Sequence, residues 1–461
     1  MQMLVHFLVT RKMLRKTAIM VGSFWIAMAC APTSTAAPLK ANVAKVDITP
    51  PPNQLLWGYP ERVKPASGTL DPLYARVLVL ESGGERLAWV DLDLGRAFGS
   101  DSISYLREIA RKTSGITHLL VQATHTHSGP VVLNAYPNGV PAWEIATLEK
   151  IGTAIATAAE GLTDVSVSTG YGQADIGYNR RSINADGTVS MLWRNLTHSP
   201  TSPRDSTVAI LRIDTIDGQP LAILVNYACH PVVLGHNQQY SADLPGIMSR
   251  KVEQAFGGKP LCFFIQGAPG DINPYARAID DDGPEQLEIA GHGIADAVVK
   301  VSRSMHAVVE QNSTLDIAED VLTFNLRWNP KKLEHERLSQ LGVVSNKSSS
   351  DVTPILRLPV VTVLINKRIA LMTMPGEAFV EFQINWRDRC PVPDAFFLGY
   401  TNGYFGYFPT IPAASQGGYG ASDSATWVEV GAGEQMVNHA LVRVYEMLGR
   451  LTDVPVESSS K

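Results

Sequence analysis

The sequence has 461 residues, of which 45% are hydrophobic and 18% are charged, so it can bury a large core and is not a disordered chain. Its formal net charge is -5, and basic residues cluster only near the N-terminus, which argues against nucleic acid as a partner. Beyond the N-terminal region only three cysteines remain, namely Cys229, Cys262 and Cys390. So few cysteines do not make a disulfide framework, although an oxidising compartment would allow one bridge.

The N-terminal residues predict an export signal. An apolar run from about Thr17 to Ala29 follows four basic residues, which are Arg11, Lys12, Arg15 and Lys16. The run is shorter than the roughly 20 apolar residues that a bilayer-spanning helix needs, and small residues follow it. We therefore predict a signal peptide over residues 1–37 and a periplasmic or secreted protein. Lipid anchoring through Cys30 is the lesser alternative.

Short β-like runs alternate with helix-period segments along the rest of the chain. The predicted strands cover residues 74–81, 86–94, 117–124, 208–214, 221–229, 261–267, 360–366 and 369–374. The predicted helices cover residues 101–115, 142–162, 244–256, 285–302, 377–388 and 433–449. No internal repeat of fixed period is visible. The alternation predicts an α/β fold, with a layered mixed sheet covered by helices, as a single large domain over residues 38–455.

Two further features concern packing and loops. In the second helix, one apolar stripe is predicted to face the core, and it consists of Ile145, Leu148, Ile151, Ile155 and Leu162. The Gly- and Pro-bearing segments 273–285 and 406–424 are long enough to act as lids or rims. The polar segment 338–354 is expected to be a surface insertion.

The segment QATHTHSGPVV, residues 122–132, carries two histidines one residue apart at the end of a predicted strand. Side chains on a strand repeat their direction every second residue, so His125 and His127 are predicted to point the same way, as two ligands of one metal do. A single histidine in a polar turn would more often have no such role. Two on one face, followed by a Gly-Pro turn, favour a metal site.

Other apolar runs also end in residues with useful chemistry. His230 follows the apolar run in LAILVNYACHP, and Glu377 follows the one in IALMTMPGEAF. Tyr404 and Tyr407 follow the one in AFFLGYTNGYFGYFP. Each has a structural alternative, as a core histidine, a helix N-terminal acid or an aromatic rim. In α/β sheets, however, sites assemble beyond the carboxyl ends of the strands. Two or three histidines and one carboxylate there predict a catalytic zinc site with an open coordination position.

The ordered segments ATHTHSGP, NYACHP, MPGEAF, TNGYFGY and GGYGAS resemble the signatures of the neutral, non-lysosomal ceramidases, and KVDITPP, GYPERV and DPLYARVLVLE resemble that family's N-terminal opening. The resemblance runs in order from about Val43 to about Trp427. It implies that one Zn²⁺ ion is held by His125, His230, Glu377 and Tyr407. It also implies roles around the scissile amide for His127, as proton carrier or substrate contact, and for Arg180 and Tyr419, which would steady the charged oxygen.

Two departures from the family pattern affect these expectations. Asn273, in GDINP, stands where the ceramidases have a serine implicated in catalysis. Asparagine can form hydrogen bonds but cannot act as a nucleophile, so we expect attack by a metal-bound hydroxide, with Asn273 contributing an oxyanion hydrogen bond. After the predicted helix at 433–449 only the tail TDVPVESSSK follows, so the family's C-terminal immunoglobulin-like domain is expected to be missing.

The expected function is that of an exported, zinc-dependent amidohydrolase that cleaves the amide bond of ceramide or a related N-acyl compound. Its partner would be a small-molecule or lipid amide, met at a membrane surface if it is a lipid. A first alternative is a zinc hydrolase of the same fold that acts on another amide or an ester. A second is an amidohydrolase-superfamily β/α barrel, although the sequence has no convincing carboxylated lysine or late aspartate. A third is a non-catalytic binding protein derived from the enzyme, and the oligomeric state is left open.

Overall fold

The computed structural model describes residues 38–279, 282–307, 310, 312–329 and 355–451. The predicted signal peptide and the predicted surface insertion at 338–354 lie outside the described residues. The described residues all belong to one compact unit. None of the helices in these ranges is both long enough and apolar enough to cross a membrane.

The longer strands of the described chain fall into three groups of four. The first group is β1 (Lys40–Asp47), β2 (Tyr74–Ser82), β3 (Glu85–Leu92) and β4 (His118–Ala123). The second group is β5 (Thr163–Gln173), β6 (Thr207–Thr215), β7 (Pro220–Tyr227) and β8 (Leu261–Gln266). The third group is β9 (Leu315–Asn325), β10 (Ile355–Ile365), β11 (Ile369–Thr373) and β12 (Asp394–Leu398).

The three groups share one topology. In each of them, the first three strands are antiparallel neighbours and the fourth runs parallel to the third. The first two groups form one eight-stranded sheet, but β1 meets β5 through only two residue pairs, and the third group is a separate sheet. Equivalent strands begin at residues 40, 163 and 315. Because these intervals are unequal and the repeated feature is strand order, a search for a fixed sequence period does not detect it.

Each group also carries helices, one of which makes the crossover between its two parallel strands, as such connections require. The first group has α1 (Ser100–Ser114) and α2 (Ala142–Glu160), and the second has α3 (Asp243–Ala255) and α4 (Gly283–Ser304). The third has α5 (Val380–Arg389), the short α6 (Ile411–Gln416) and α7 (Ala432–Met447). Helix α1 stops where predicted because Gly115 adopts the left-handed conformation, with φ 61°, of a C-terminal cap.

The hydrophobic core has one central layer and three outer layers. The inner faces of all three groups share the central layer, which includes Leu78, Leu224 and Leu371. The outer faces are covered by α1 and α2, by α3 and α4, and by α5 and α7, with a separate cluster under each pair. This arrangement confirms the predicted α/β fold of mixed sheets covered by helices, and it shows that the β/α barrel alternative is wrong.

Two local predictions need correction. Ile145 is 43% exposed and does not join the buried stripe of α2, because Glu144 is turned inward and accepts hydrogen bonds from Ser102 and Tyr136. The helix expected from residue 377 begins only at Val380. Glu377 belongs instead to a two-residue strand that pairs in parallel with residues 407–408.

Short strands complete the architecture beside the three groups. The pairs are Gly68–Thr69 with Gln239–Tyr240, Gly177–Asn179 with Ile272–Pro274, Arg181–Ile183 with Val189–Met191, and Glu377–Ala378 with Tyr407–Phe408. The strand Tyr407–Phe408 and the helix α6 both lie within the predicted loop at 406–424, which is therefore partly regular.

The fourth strands of the three groups meet at their edges. The amide of Gly399, just after β12, donates to the carbonyl of Gln266 in β8 at 3.0 Å, and the amide of Asn402 donates to Val121 in β4 at 2.8 Å. The side chain of Gln122 in β4 donates to the same Gln266 carbonyl at 3.0 Å. The turns that follow these strands therefore emerge into one region of the molecule, as expected for parallel strands whose carboxyl ends coincide.

Candidate metal centre

Three imidazoles converge in this region. One ring nitrogen from each of three histidines lies within 4.8 Å of the other two; the residues are His125, His127 and His230. Strand alternation is not the cause for the first two, because β4 ends at Ala123. His125 instead takes a left-handed conformation, with φ 70°, which turns its ring against that of His127 at a centroid distance of 4.8 Å. A non-glycine residue held in this conformation is uncommon and is often found at functional sites.

Two of these histidines are anchored through their outer nitrogen. The Nδ1 of His125 lies 2.6 Å from the carbonyl oxygen of Gly95, and the Nδ1 of His230 lies 3.0 Å from the carbonyl oxygen of Ile272. A carbonyl can only accept, so each Nδ1 carries a hydrogen, and in the neutral imidazole Nε2 then presents a lone pair. Metal-binding histidines are typically oriented by such a second hydrogen bond.

Glu377 completes the group. Its Oε2 lies 3.2 Å from the Nε2 of His230 and 3.5 Å from the Nε2 of His125, and the residue is buried. Atoms bound tetrahedrally to zinc at ~2.0–2.1 Å lie about 3.3 Å apart, so these separations suit one ion between them. Two imidazoles and a carboxylate are also the donors that zinc accepts. The residues therefore fit the predicted metal, and these three side chains could hold it.

The protonation states suit ligand binding at neutral pH. Burial and the nearby Arg180 charge lower the pKa of His230 to about 4, although Glu377 opposes the shift. Burial disfavours the charge on Glu377, but His125 and His230 outweigh it and hold the pKa of that carboxyl well below its usual range. The hydroxyl of Tyr404 donates to Oε1 of Glu377, and burial raises the pKa of this phenol so that it keeps its proton. The donor set is thus a neutral imidazole and an ionised carboxylate before any ion arrives.

Tyr407 lies beside these ligands. Its backbone pairs with that of Glu377 in the short parallel strand, and its hydroxyl accepts a hydrogen bond of 3.1 Å from Nη2 of Arg180. The hydroxyl of Tyr404, by contrast, donates to Glu377 itself. Coordination of the metal by Tyr407 therefore stays a prediction from the family resemblance.

His127 differs from the two anchored histidines. Its Nε2 lies 3.2 Å from that of His125, but its buried Nδ1 has no hydrogen-bond partner in the described part of the chain. Unlike His125 and His230, its side chain is partly exposed. Desolvation and the two neighbouring histidines lower its pKa well below the ordinary value. It is therefore neutral at pH 7, and one of its nitrogens has no partner among the described residues.

The backbone of Gly58 packs directly against His127. A Cβ at this position, where φ is 102°, would lie 2.3 Å from Nδ1 and 2.4 Å from Cγ of His127. We expect Gly58→Ala to push the imidazole away and lower turnover at least tenfold, a measurable loss in kcat. The matched control is Gly139→Ala, because Gly139 also has a positive φ, 84°, but no atom within 4 Å of its virtual Cβ. Equal losses in both variants would show that backbone strain, not contact with His127, is responsible.

Arg180 provides a fixed positive charge next to the centre. Its buried guanidinium donates to the carbonyl of Gly270 at 2.7 Å and, through Nη1, to Oδ1 of Asn273 at 3.3 Å. Burial opposes its charge, but the neighbouring Tyr407 and Tyr419, together with Glu377, raise its pKa above the ordinary value. The guanidinium cannot lose its proton there, so it can stabilise a negative oxygen.

Tyr419 lies on the solvent side of this group. It is 39% exposed, and its ring centroid lies 5.4 Å from that of Tyr407 and 5.3 Å from the Arg180 guanidinium carbon. The ring of Trp193, 49% exposed, lies 5.5 Å from Tyr419 and also faces Arg180. The structure thus brings together all eight side chains singled out from the sequence, including Asn273.

The sequence analysis missed other contributors. Tyr400 stacks on His125 with ring centroids 4.1 Å apart, and the carbonyl of Gly95 orients the same imidazole. The sequence marks Tyr404 as a strand ending with useful chemistry, but not its contact with Glu377. The density of tyrosines in LGYTNGYFGY was a usable signal for Tyr400 and Tyr404, whereas nothing in the sequence marks the carbonyl of Gly95.

These observations define an α/β protein with a buried group of histidine and carboxylate side chains that could hold a metal ion, beside a neutral imidazole and a fixed cation. The sequence profile of the neutral/alkaline non-lysosomal ceramidase N-terminal domain matches residues 40–285. The chain belongs to this family, and the resemblance inferred from its motifs is confirmed.

Known relatives agree with this membership. The neutral ceramidase of Pseudomonas aeruginosa is 28% identical over 120 residues, which are 25% of this chain and 18% of that protein. A crystal structure of neutral ceramidase from Pseudomonas aeruginosa matches with a TM-score of 0.69 at 18% identity, over 92% of this chain and 76% of the other. A ceramidase complexed with C2 matches with a TM-score of 0.70 at 19% identity, over 92% and 77% of the two chains. At such identities, the solved structures support the fold.

Proposed function

We propose that this protein is a zinc-dependent amide hydrolase that cleaves ceramide or a closely related N-acyl lipid. The observation that carries the proposal is the pair of anchored histidines, His125 and His230, whose Nε2 atoms both face the carboxylate of Glu377 at 3.2–3.5 Å. Such a donor set leaves a coordination position for water, which is typical of catalytic rather than structural zinc. Membership of the ceramidase family supports an amide of sphingoid type as the substrate.

Each side chain around the centre has its own role in hydrolysis. Zinc, when bound, lowers the pKa of a water molecule to about 7 and so supplies a nucleophile at neutral pH. The guanidinium of Arg180, buried and fixed, stabilises the oxygen of the amide carbonyl as negative charge develops there. His127, on the partly exposed side of the centre, takes the proton that the attacking water loses and passes it to the leaving amine. Tyr404 holds the carboxylate of Glu377 in place.

The aromatic side chains at the solvent side support a lipid-like substrate. Trp193 and Tyr419 are both partly exposed although they are large and apolar, and both contact Arg180. Such rings can cover the hydrocarbon next to an amide while the polar groups remain below them. The N-terminal basic and apolar residues support export, so we propose that the enzyme works in the periplasm or outside the cell, where it meets lipids at a membrane surface.

The test is an assay of the purified, zinc-loaded protein on ceramide beside short-chain N-acyl amides and esters. Release of sphingosine from ceramide with kcat/KM at least tenfold above the short amides supports the proposal. Activity confined to short amides or esters would instead favour the second candidate, a hydrolase of the same fold with another substrate. We retain this second candidate because Asn273 stands in the place of the family serine. A protein that binds zinc but hydrolyses nothing would be the binding protein considered as a third alternative.

Asn273 also allows a direct check of the chemistry. Its Oδ1 accepts from Arg180, so the residue touches the oxyanion side of the centre rather than the metal ligands. We expect Asn273→Ser to leave kcat within about tenfold of the parent, because the proposed attack does not need a serine nucleophile. The measurement is steady-state turnover on the preferred amide, with Asn273→Ala for comparison. A gain of several orders of magnitude in the serine variant would mean that the covalent route, not metal-assisted attack, is the efficient one in this fold.

A further inference from the structure

One buried side chain links the two turns that carry the anchored histidines. Gln266, the last residue of β8, is 0% exposed. Its Nε2 donates to the carbonyl of Thr124 and to the carbonyl of Cys229, both at 2.9 Å, and its Oε1 accepts from the amide of Cys229 at 3.4 Å. Thr124 and Cys229 directly precede His125 and His230 in the chain.

The backbone of Gln266 connects the third group of strands to the same point. Its carbonyl accepts from the amide of Gly399 at 3.0 Å and from the side chain of Gln122 at 3.0 Å. Gly399 directly precedes Tyr400, the ring that stacks on His125. One residue therefore contacts all three turns that meet at the metal centre, each at the position before a residue of the site.

We propose that Gln266 is a positioning residue of the metal centre, whose amide sets the separation of the imidazoles of His125 and His230. A neutral amide suits this place, because it offers two donor hydrogens and an acceptor to three backbone groups that a charged or apolar side chain could not satisfy together. The proposal rests on the proposed function, since it deepens the description of the same centre. Rotation of the peptide before either histidine would move its Nε2, and metal sites tolerate displacements of only about 0.5 Å.

The test compares Gln266→Met with a matched control. Methionine keeps the length of the side chain and removes the three hydrogen bonds. The control is Asn226→Leu, because Asn226 is also buried and its side chain makes three hydrogen bonds, to Ile265 and Phe397, but within the described chain none of these partners is next to a histidine. Zinc affinity is measured by competition with a chromophoric chelator, and the absorption spectrum of the cobalt-loaded protein reports ligand geometry. Thermal unfolding of the metal-free protein gives the structural cost of each change.

We expect Gln266→Met to weaken zinc binding at least tenfold and to change the cobalt spectrum, while Asn226→Leu leaves both within threefold at a comparable loss in thermal stability. Unchanged affinity and spectrum in the methionine variant would overturn the proposal. If that variant does not fold, Gln266→Glu serves instead: it keeps an acceptor for the Cys229 amide and loses the donors, and parental affinity there would also overturn the proposal. Since affinity is measured without substrate, failure of ceramide hydrolysis in the parent would reject the proposed function alone.

Discussion

Alanine in place of His125 is expected to abolish zinc binding under assay conditions and to reduce amide hydrolysis by at least 1000-fold, roughly the scale on which catalytic groups act. The imidazole is buried, its Nδ1 is held by the carbonyl of Gly95, and its Nε2 faces Glu377 at 3.5 Å. Tyr400 stacks directly on the ring and holds its plane. Metal content by elemental analysis and kcat on the preferred amide are the two measurements.

The control for this substitution lies at the start of β4, the strand that leads to His125. His118, the first residue of β4, is partly exposed and pairs with Glu85 and Glu319 near the surface. Exposed ion pairs of this kind contribute about 0–1 kcal/mol, so His118→Ala should keep metal and activity. Zinc retained at one ion per chain in the His125 variant, with turnover near the parent value, would contradict the assignment of the centre. Removal and return of metal in the parent should reproduce the loss and restore it.

The sequence predicted β2 to β4 and β6 to β8 because their physical signals are local, but the first strands of the three groups, β1, β5 and β9, were not predicted. Strands β2 to β4 and β6 to β8 are continuous apolar runs, and α1 and α7 have clear helical periodicity, so short-range patterns define them. The threefold repetition of strand order was not predictable from these signals. It depends on pairing between strands far apart in the chain, and connections of unequal length hide it.

The candidate site was predictable only as a list of residues. His125, His230 and Glu377 could be chosen because they follow apolar runs, but the left-handed turn at His125 that brings the rings together is a property of tertiary packing. The prediction that Ile145 faces the core was wrong for a related reason. The buried hydrogen bonds of Glu144 decide which face of α2 turns inward. The contacts of Gln266 with two distant turns likewise have no signature in the sequence.

Replacing His127 distinguishes the two roles that its position allows, as a metal ligand and as a proton carrier. Its Nε2 lies within ligand distance of the other two histidines, yet its Nδ1 lacks the anchor that both of them have. We expect His127→Ala to retain zinc and to lower kcat on an unactivated amide by ~10²–10⁴, the usual contribution of general acid–base catalysis. Elemental analysis and steady-state kinetics on the same preparation test both parts of the expectation.

The choice of leaving group distinguishes a proton carrier from a metal ligand. An alkyl amine needs a proton as it departs, whereas the phenolate of an activated aryl ester does not. If His127 supplies that proton, the variant should lose far less activity on an aryl ester of the same acyl chain than on the amide. A metal ligand would show neither pattern, because its removal would release zinc and depress both substrates together. Added imidazole should restore part of the amide activity, since the space left by the side chain lies on the partly exposed side of the centre. Loss of zinc in this variant would mean that three histidines hold the ion, and the proton carrier would then have to be sought among Tyr419 and its neighbours.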